Sequence, residues 1–262
     1  MPSSILVPTP TPPPLADGLR ALGLRRTAAD LADVLARATR HRWSPAQVLE
    51  ELVRAEHQER AQRSLERRLT RARLGTFKPM TDFDWAWPKS VDRVAVERVL
   101  TLGFLDRAEN VILAATSGLG KTMIAKNVAH QAVLHGASVR CVTAADLLLD
   151  LEGQETSRAL ERRLRAYVKP RLMVVDELGY LAYDNRAADL LFQVINRRYE
   201  RGSLLVTTNL AFKAWNTIFP NAACVTALLD RLTHHAEIIP ITGDSYRQRE
   251  AEAAQKARRA KA

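Results

Sequence analysis

After Asp92 the hydrophobic positions fall into short apolar runs, and longer stretches with helical spacing separate them. Short apolar runs without alternation are typical of strands covered on both faces, and intervening helices indicate a parallel sheet. The runs are Val111–Ala114, Val139–Val142, Leu172–Val175 and Leu204–Val206, with Ile238–Ile241 as a candidate fifth. This pattern predicts an α/β domain over 93–246, with a parallel sheet flanked by helices.

The preceding segment, 15–75, has helical spacing throughout and predicts a small all-α N-terminal domain. Thr27 with Asp30 is one candidate helix start, and Ser44-Pro45-Ala46-Gln47 is a stronger one, with Ser44 as the cap and Gln47 reaching back. The helix from Pro45 is expected to run on into an arginine-rich stretch that ends at Arg73.

Three further segments have their own composition. Half of the twelve prolines lie in 1–14, which predicts a disordered or extended tail. The segment 76–92 is a linker with alternating aromatics, which are expected to pack on a neighbouring domain or, as the less favoured alternative, to stack on a ligand base. The segment 247–262 is a basic tail.

Composition excludes several classes of protein. With 47% hydrophobic and 26% charged residues, the 262-residue chain is too apolar for a disordered protein and too charged for a membrane bundle. No run is long enough to span a membrane, and the N-terminus lacks the features of a signal peptide, so a cytoplasmic protein is expected. Cys141 and Cys224 show no zinc or disulfide spacing. The net charge of +10 suits a polyanionic partner or simple solubility.

The first strand leads directly into a glycine-rich loop and then a helix, the context of a phosphate-binding loop. Backbone N–H groups and the helix N-terminus there point at phosphate oxygens, the Lys121 ammonium contacts the outer phosphates, and the Thr122 hydroxyl binds Mg²⁺. The predicted ATP-binding residues are Ser117, Gly118, Leu119, Gly120, Lys121, Thr122 and Met123.

One position departs from the usual loop pattern, because Ala115 stands where the first glycine is expected. Alanine resists positive φ. Either the loop entry has ordinary backbone angles, or nucleotide binding is weaker than usual.

Two other strands end in polar residues that complete a hydrolytic site. Asp176 is placed to hold Mg²⁺, and Glu177 to act as general base on the attacking water. Asn209 follows another strand, where its amide is placed to orient that water or only to form a turn. All lie at carboxyl ends of strands, the edge where parallel sheets bind ligands, and together they predict a nucleoside triphosphatase.

From about Leu19 to Arg247 the sequence resembles the IstB-like ATPases, helper proteins of bacterial insertion-sequence transposition that belong to the AAA+ class and are similar to the helicase loader DnaC. The matching strings include Leu65-Glu-Arg-Arg-Leu-Thr-Arg-Ala-Arg73, Asp176-Glu-Leu-Gly-Tyr-Leu181, Leu229-Asp-Arg-Leu-Thr-His-His235 and Gly243-Asp-Ser-Tyr-Arg247. The resemblance implies an AAA+ P-loop fold, ATP with Mg²⁺ as cofactors, and a homo-oligomer of spiral or ring-like form.

The resemblance also implies residue roles. Lys121 and Thr122 take the Walker A roles, Asp176 and Glu177 the Walker B roles, and Asn209 the sensor role. Arg231 stands where related proteins supply an arginine finger to the neighbouring subunit's nucleotide, although an arginine on such a helix is more often a surface ion pair.

Three basic segments account for the surplus charge: 54–73, 156–171 and 247–261. The first is a solvated helix face with Glu/Arg pairs or, alternatively, a phosphate-contacting surface, and the last is a DNA arm or a solubilising tail. In related initiator proteins a helical insertion near the middle segment lines a spiral assembly. The resemblance therefore makes four residues candidate contacts to double-stranded DNA: Arg158, Arg162, Arg163 and Arg165.

The predicted function is an ATP-dependent, DNA-binding helper of transposition that assembles on target DNA and recruits or stimulates a transposase. One alternative is a replicative helicase loader similar to DnaC. A second is a non-hydrolysing DNA-binding adaptor, suggested by Ala115, and a third is a small-molecule kinase.

Overall fold

The computed structural model describes residues 14–180, 182–219 and 222–259. The chain divides into two compact units, Met1–Glu66 and Arg67–Ala262. Apart from Pro14, the proline-rich tail lies outside the described residues, as do the last three residues of the basic tail. The domain limits expected from the sequence remain a prediction.

The first unit is helical where it is described. Its helices are α1 (Leu15–Ala21), α2 (Arg25–His41) and the beginning of α3 (Pro45–Ala72), which crosses the division between the units. The capping box at Ser44 is confirmed: the Gln47 N–H donates to Ser44 Oγ at 3.3 Å, and the Ser44 N–H donates to Gln47 Oε1 at 2.7 Å. The Thr27 cap is wrong, because α2 begins at Arg25 and the Thr27 N–H donates to Glu56 Oε2 at 3.2 Å.

The second unit alternates strands and helices. Its strands are β1 (Ser90–Val91), β2 (Asn110–Ala115), β3 (Val139–Thr143), β4 (Leu172–Leu178), β5 (Ser203–Thr208) and β6 (Ala236–Thr242). Its helices are α4 (Arg93–Leu100), α5 (Lys121–Leu134), α6 (Ala144–Glu152), α7 (Ser157–Val168), α8 (Asn185–Arg198), α9 (Ala222–Thr233) and α10 (Tyr246–Arg259). All five predicted strands are present, and the predicted fifth is β6.

Within the described residues the strands form one six-stranded sheet in the order β1-β6-β2-β5-β4-β3. The pairs from β6 to β3 are parallel, so the carboxyl ends of β2, β4 and β5 meet at one edge. The sheet is mixed and not wholly parallel, because β1 pairs antiparallel with β6. A two-residue strand has no hydrophobic period by which the sequence could reveal it.

Helices cover both faces of the sheet. Helix α5 contacts β2 to β5, whereas α6 packs on β3 and β4, α8 on β5 and α9 on β6. Alternate residues of a strand therefore point into two apolar layers on opposite faces of the sheet. Ile112, for example, belongs to the apolar cluster formed with residues of α6 to α9. This double cover explains why the strands are continuous apolar runs.

The helix starts differ in a way that bears on ligand binding. Helices α4, α6, α7 and α8 are each capped by a side chain, from Asp92, Thr143, Thr156 and Asp184 respectively. Helix α5 follows Gly120 and has no side-chain cap among the described residues. The first amide N–H groups of a helix need an acceptor, so the start of α5 is suited to an anionic ligand.

Candidate nucleotide-binding site

The loop between β2 and α5 depends on two glycines with left-handed backbone. Gly118 has φ +83° and Gly120 has φ +85°. A Cβ on Gly118 would lie 2.1 Å from Ser245 Oγ, and one on Gly120 would lie 2.6 Å from Phe83 Cε2. Both the backbone angle and the space therefore require glycine here.

Ala115 does not disturb this loop, because it is the last residue of β2. It is buried, and it pairs in register with Ile241 of β6. Of the two alternatives drawn from the sequence, an ordinary loop entry is the one that the structure shows. Positive φ begins further along, at Gly118.

Restoring the usual glycine, Ala115→Gly, is therefore expected to leave nucleotide affinity unchanged. It should lower the free energy of unfolding by about 0.5–1 kcal/mol, because glycine loses more backbone entropy in a strand. Titration with a fluorescent ATP analogue and thermal unfolding measure the two quantities. A clear gain in affinity would mean that the alanine does weaken binding.

Lys121 lies at the base of the loop. Its Nζ donates to Ala115 O at 2.7 Å and to Thr116 O at 2.8 Å. Burial lowers the pKa of Lys121, and the positive charge of Arg247 acts in the same direction. A phosphate group would supply the negative charge that favours the ammonium form.

Four polar groups connect the loop to two strand ends. Thr122 Oγ1 donates to Asp176 Oδ1 at 3.0 Å, and the fully buried Thr207 donates its hydroxyl to the same oxygen. The Glu177 N–H donates to Thr207 Oγ1 at 2.9 Å. Hydroxyl and carboxylate oxygens are ligands that Mg²⁺ prefers, so Thr122 and Asp176 fit that ion.

Glu177 has an unusual backbone. Strand β4 continues past Val175 to Leu178 with a register shift against β5, and Glu177 has φ +60° within that irregularity. Such a bulge re-aims a side chain, and the Glu177 side chain is exposed and borders the cavity above the loop. The hydrogen bond from the Glu177 backbone N–H to Thr207 Oγ1 stabilises the strained conformation.

Asn209 borders the same cavity just after β5. Its Oδ1 is buried and, within the described part of the chain, has no hydrogen-bond partner. A buried amide oxygen without a partner is costly unless a ligand or water donates to it. This arrangement fits the water-orienting alternative for Asn209.

The cavity has a volume of about 560 Å³, which is within the usual range for small-ligand sites. All seven predicted ATP-binding residues border it, together with Glu177 and Asn209. Its other wall, whose linker residues were not assigned to the site from the sequence, comprises Lys78, Asp82, Phe83, Asp84, Trp87, Pro88, Tyr180, Tyr246 and Arg247, with Thr207 below. In the sequence, the alternating aromatics of the linker were the signal for the linker part of this wall. The less favoured alternative, an aromatic that faces a ligand, matches the positions of Phe83 and Trp87 beside the cavity.

The linker and the start of α10 are joined at this wall. Trp87 Nε1 donates to Asp244 O at 2.8 Å, and the Tyr246 N–H donates to Gly118 O at 3.0 Å. The rings of Trp87 and Tyr246 meet edge to face, with centroids 6.0 Å apart. The beginning of the basic C-terminal helix is therefore bonded directly to the glycine-rich loop.

Arg231 lies elsewhere, in the last turn of α9. Its Nε donates to Asn196 Oδ1 at 2.7 Å, its Nη1 donates to Ala227 O at 3.1 Å, and its guanidinium lies 5.0 Å from the ring centroid of Phe192. The described residues that border the nucleotide cavity do not include it. Any contact of Arg231 with a nucleotide would therefore be with that of another subunit.

Helix α7 carries the four arginines proposed for DNA, but they do not share one face. Arg158, Arg162 and Arg165 are exposed, and with Lys169 they form a stripe at helical spacing. Arg163 points elsewhere: it is half-buried and forms an ion pair with Asp150 of α6, beside the ring of Tyr167. That pair also raises the pKa of the Arg163 guanidinium.

A glycine-rich loop before an uncapped helix, paired acidic residues on the adjacent strand edge and a parallel sheet covered on both faces define a P-loop nucleotide-binding protein of the AAA+ type. The family model for IstB-like ATP-binding proteins matches residues 17–254. The chain belongs to the IstB-like ATP-binding protein family, and this membership supports ATP binding and ATPase activity.

Known relatives agree with this assignment. The chain is 38% identical to the ATP-binding protein of insertion sequence IS5376 from Geobacillus stearothermophilus, over 81% of this chain and 85% of the relative. It is also 38% identical to that of insertion sequence IS21 from Pseudomonas aeruginosa, over 73% of this chain and 72% of the relative. Among solved structures, DnaI matches with a TM-score of 0.53 and 20% identity, covering 66% of this chain and 90% of that one, which shows the fold alone.

Across the part of the chain that the structure describes, no helix is both long and apolar enough to cross a membrane.

Proposed function

We propose that this protein is an ATP-dependent, DNA-binding helper of transposition. ATP-bound subunits assemble on double-stranded DNA and recruit or stimulate a transposase, and hydrolysis of ATP with Mg²⁺ takes the assembly apart. The observation that carries the proposal is the hydrogen-bonded group of Thr122, Asp176, Thr207 and Glu177 beside the glycine-rich loop. The insertion-sequence proteins among the relatives supply the link to transposition.

Each residue has a distinct role in the proposed hydrolysis. The loop amides and Lys121 bind the phosphates, while Thr122 and Asp176 hold Mg²⁺, which supplies charge neutralisation at the transferred phosphoryl group. The Glu177 carboxylate accepts a proton from the attacking water, and Asn209 Oδ1 accepts a hydrogen bond from the same water. Thr207 positions the Asp176 carboxylate and the backbone of Glu177 through its two hydrogen bonds.

The proposed DNA surface is the stripe on α7 formed by Arg158, Arg162, Arg165 and Lys169. Its members are exposed and face one way, and guanidinium groups bind phosphate in a bidentate manner. Arg165 has Glu161 3.2 Å away, an exposed pair that contributes little and is readily exchanged for a phosphate. Arg163, ion-paired with Asp150, is now assigned to the stability of the α6–α7 pair.

Replacing Arg158, Arg162 and Arg165 together with glutamine is expected to flatten the salt dependence of duplex binding. The slope of log affinity against log salt should fall by about 0.9 per lost phosphate contact. Fluorescence anisotropy with duplexes of unrelated sequence measures it.

Arg163→Gln is the matched control, because it removes a guanidinium from the same helix but off the stripe. It should lower thermal stability and leave the slope unchanged. An unaltered slope in the triple variant, or an equal fall in Arg163→Gln, would remove α7 from the DNA surface.

The proposal is tested as a whole by ATP turnover with and without duplex DNA. A transposition helper and a helicase loader should both hydrolyse ATP, and a transposase reading frame adjacent to the gene would favour the helper. A non-hydrolysing adaptor should show no turnover with or without DNA. A small-molecule kinase should yield a phosphorylated small molecule and should not need to assemble. Ala115 leaves the loop intact, so it no longer gives a structural reason to favour a non-hydrolysing adaptor.

A further inference from the structure

At the edge of the sheet opposite the nucleotide, two turns bring three metal-ligating side chains together. Glu200 lies in the turn between α8 and β5, and His234 with His235 form the turn between α9 and β6. All three are exposed, and their ligand atoms lie within 4.8 Å of one another. The two imidazole rings are in contact, with centroids 3.8 Å apart.

The fold itself produces this juxtaposition. Strands β5 and β6 flank β2 and run parallel to it, so the turns that precede them lie at the same edge. The His235 carbonyl accepts from the Asn110 N–H at 3.0 Å, which ties its turn to the beginning of β2. The Glu200 turn is fixed by the buried Arg198, whose guanidinium donates to the carbonyls of Tyr167, Val168, Pro170, Arg171 and Ser203.

A neighbouring tyrosine orients the His234 ring. The Tyr199 hydroxyl hydrogen-bonds His234 Nδ1 at 2.6 Å. Because a tyrosine hydroxyl can accept as well as donate, one tautomer of His234 donates its Nδ1–H to Tyr199. That tautomer leaves a lone pair on Nε2, the state in which a histidine binds a metal.

We propose that His234, His235 and Glu200 form a binding site for a divalent transition metal of the zinc type. Two imidazoles and one carboxylate are a ligand set that Zn²⁺ takes with a water in the fourth position. The expectation that the chain has no zinc site rested on the spacing of its cysteines, and this site uses none. A bound ion joins the end of α9 to the end of α8, the two helices that hold the Arg231 guanidinium against Asn196 and Phe192.

The site is tested by calorimetric titration of the full chain, freed of metal and of any histidine tag, with ZnCl₂ in the absence of nucleotide. We expect one saturable site, which His234→Ala or His235→Ala abolishes and Glu200→Gln weakens. Tyr199→Phe keeps all three ligands and should weaken zinc binding by about 10- to 100-fold through loss of the hydrogen bond to His234. MgCl₂ should not compete, because Mg²⁺ prefers oxygen ligands.

His57→Ala is the matched control, since it removes an exposed histidine from α3 and should leave the zinc isotherm unchanged. Thermal unfolding without zinc verifies that each variant is folded, and zinc should raise the melting temperature of wild type but not of the His234 and His235 variants. Absence of a saturable site in the wild type, or equal zinc affinity in a His234→Ala/His235→Ala double variant, would overturn the proposal.

Discussion

Replacing Arg231 with alanine should reduce the ATPase rate of the assembled protein by about 10³- to 10⁵-fold, the range found for arginine fingers. The guanidinium lies away from the cavity of its own chain. It donates a hydrogen bond to Asn196 and lies over the ring of Phe192. The proposed catalytic effect would therefore require a neighbouring subunit. Steady-state turnover, measured above the concentration at which the protein assembles, gives the loss directly.

Subunit mixing distinguishes a finger from a local defect. An Arg231→Ala subunit retains an intact cavity, and a Lys121→Ala subunit retains an intact finger, so mixtures of the two inactive variants should recover part of the turnover. Arg197→Ala is the matched control, because it removes an α8 guanidinium that pairs with Glu161, and its turnover should equal that of wild type. If Arg231→Ala hydrolyses ATP at the wild-type rate, Arg231 is an ordinary surface arginine and not a finger.

Glu177→Gln should lower the ATPase rate by about 10²- to 10⁴-fold, the usual contribution of a general base, and leave ATP affinity unchanged. Glutamine has the same shape, so the bulge in β4 and the hydrogen bond from residue 177 to Thr207 are retained. Only the ability to accept a proton from the attacking water is lost. Single-turnover hydrolysis and nucleotide titration separate the two quantities.

The same variant is informative about assembly. Because ATP binds and is not cleaved, Glu177→Gln should remain on DNA in the presence of ATP while the wild type dissociates. Glu155→Gln, at an exposed position on the segment before α7, is the control and should behave as wild type. Unchanged turnover in Glu177→Gln would contradict the proposed role of this carboxylate.

The sequence predicted those parts of the fold and site that depend on neighbouring residues. The apolar runs identified β2 to β6, and the loop glycines with Lys121 and Thr122 indicated the loop that borders the cavity, because strand, loop and helix are consecutive in the chain. Asp176 and Asn209 were predicted for the same reason, as each follows a buried strand in a parallel sheet.

Features that depend on distant residues were not predicted. The φ of Glu177 is stabilised by Thr207 on the next strand, and the aromatic wall forms because Phe83 packs over Gly120. The ion pair of Arg163 was not predicted for a similar reason, since its partner Asp150 lies on another helix. Side-chain chemistry alone does not reveal which of several arginines on a helix already has a partner.

The uncapped start of α5 also makes the nucleotide a part of the folded structure. Four other helices of this unit receive a side-chain cap, for example from Asp92 or Thr156, whereas among the described residues no side chain caps α5, and its first N–H groups are left to water or a ligand. At a concentration 100 times its Kd, a ligand that binds only the folded state adds about 2.7 kcal/mol to the free energy of unfolding. Subunits that have released their nucleotide are therefore the ones most exposed to unfolding and proteolysis.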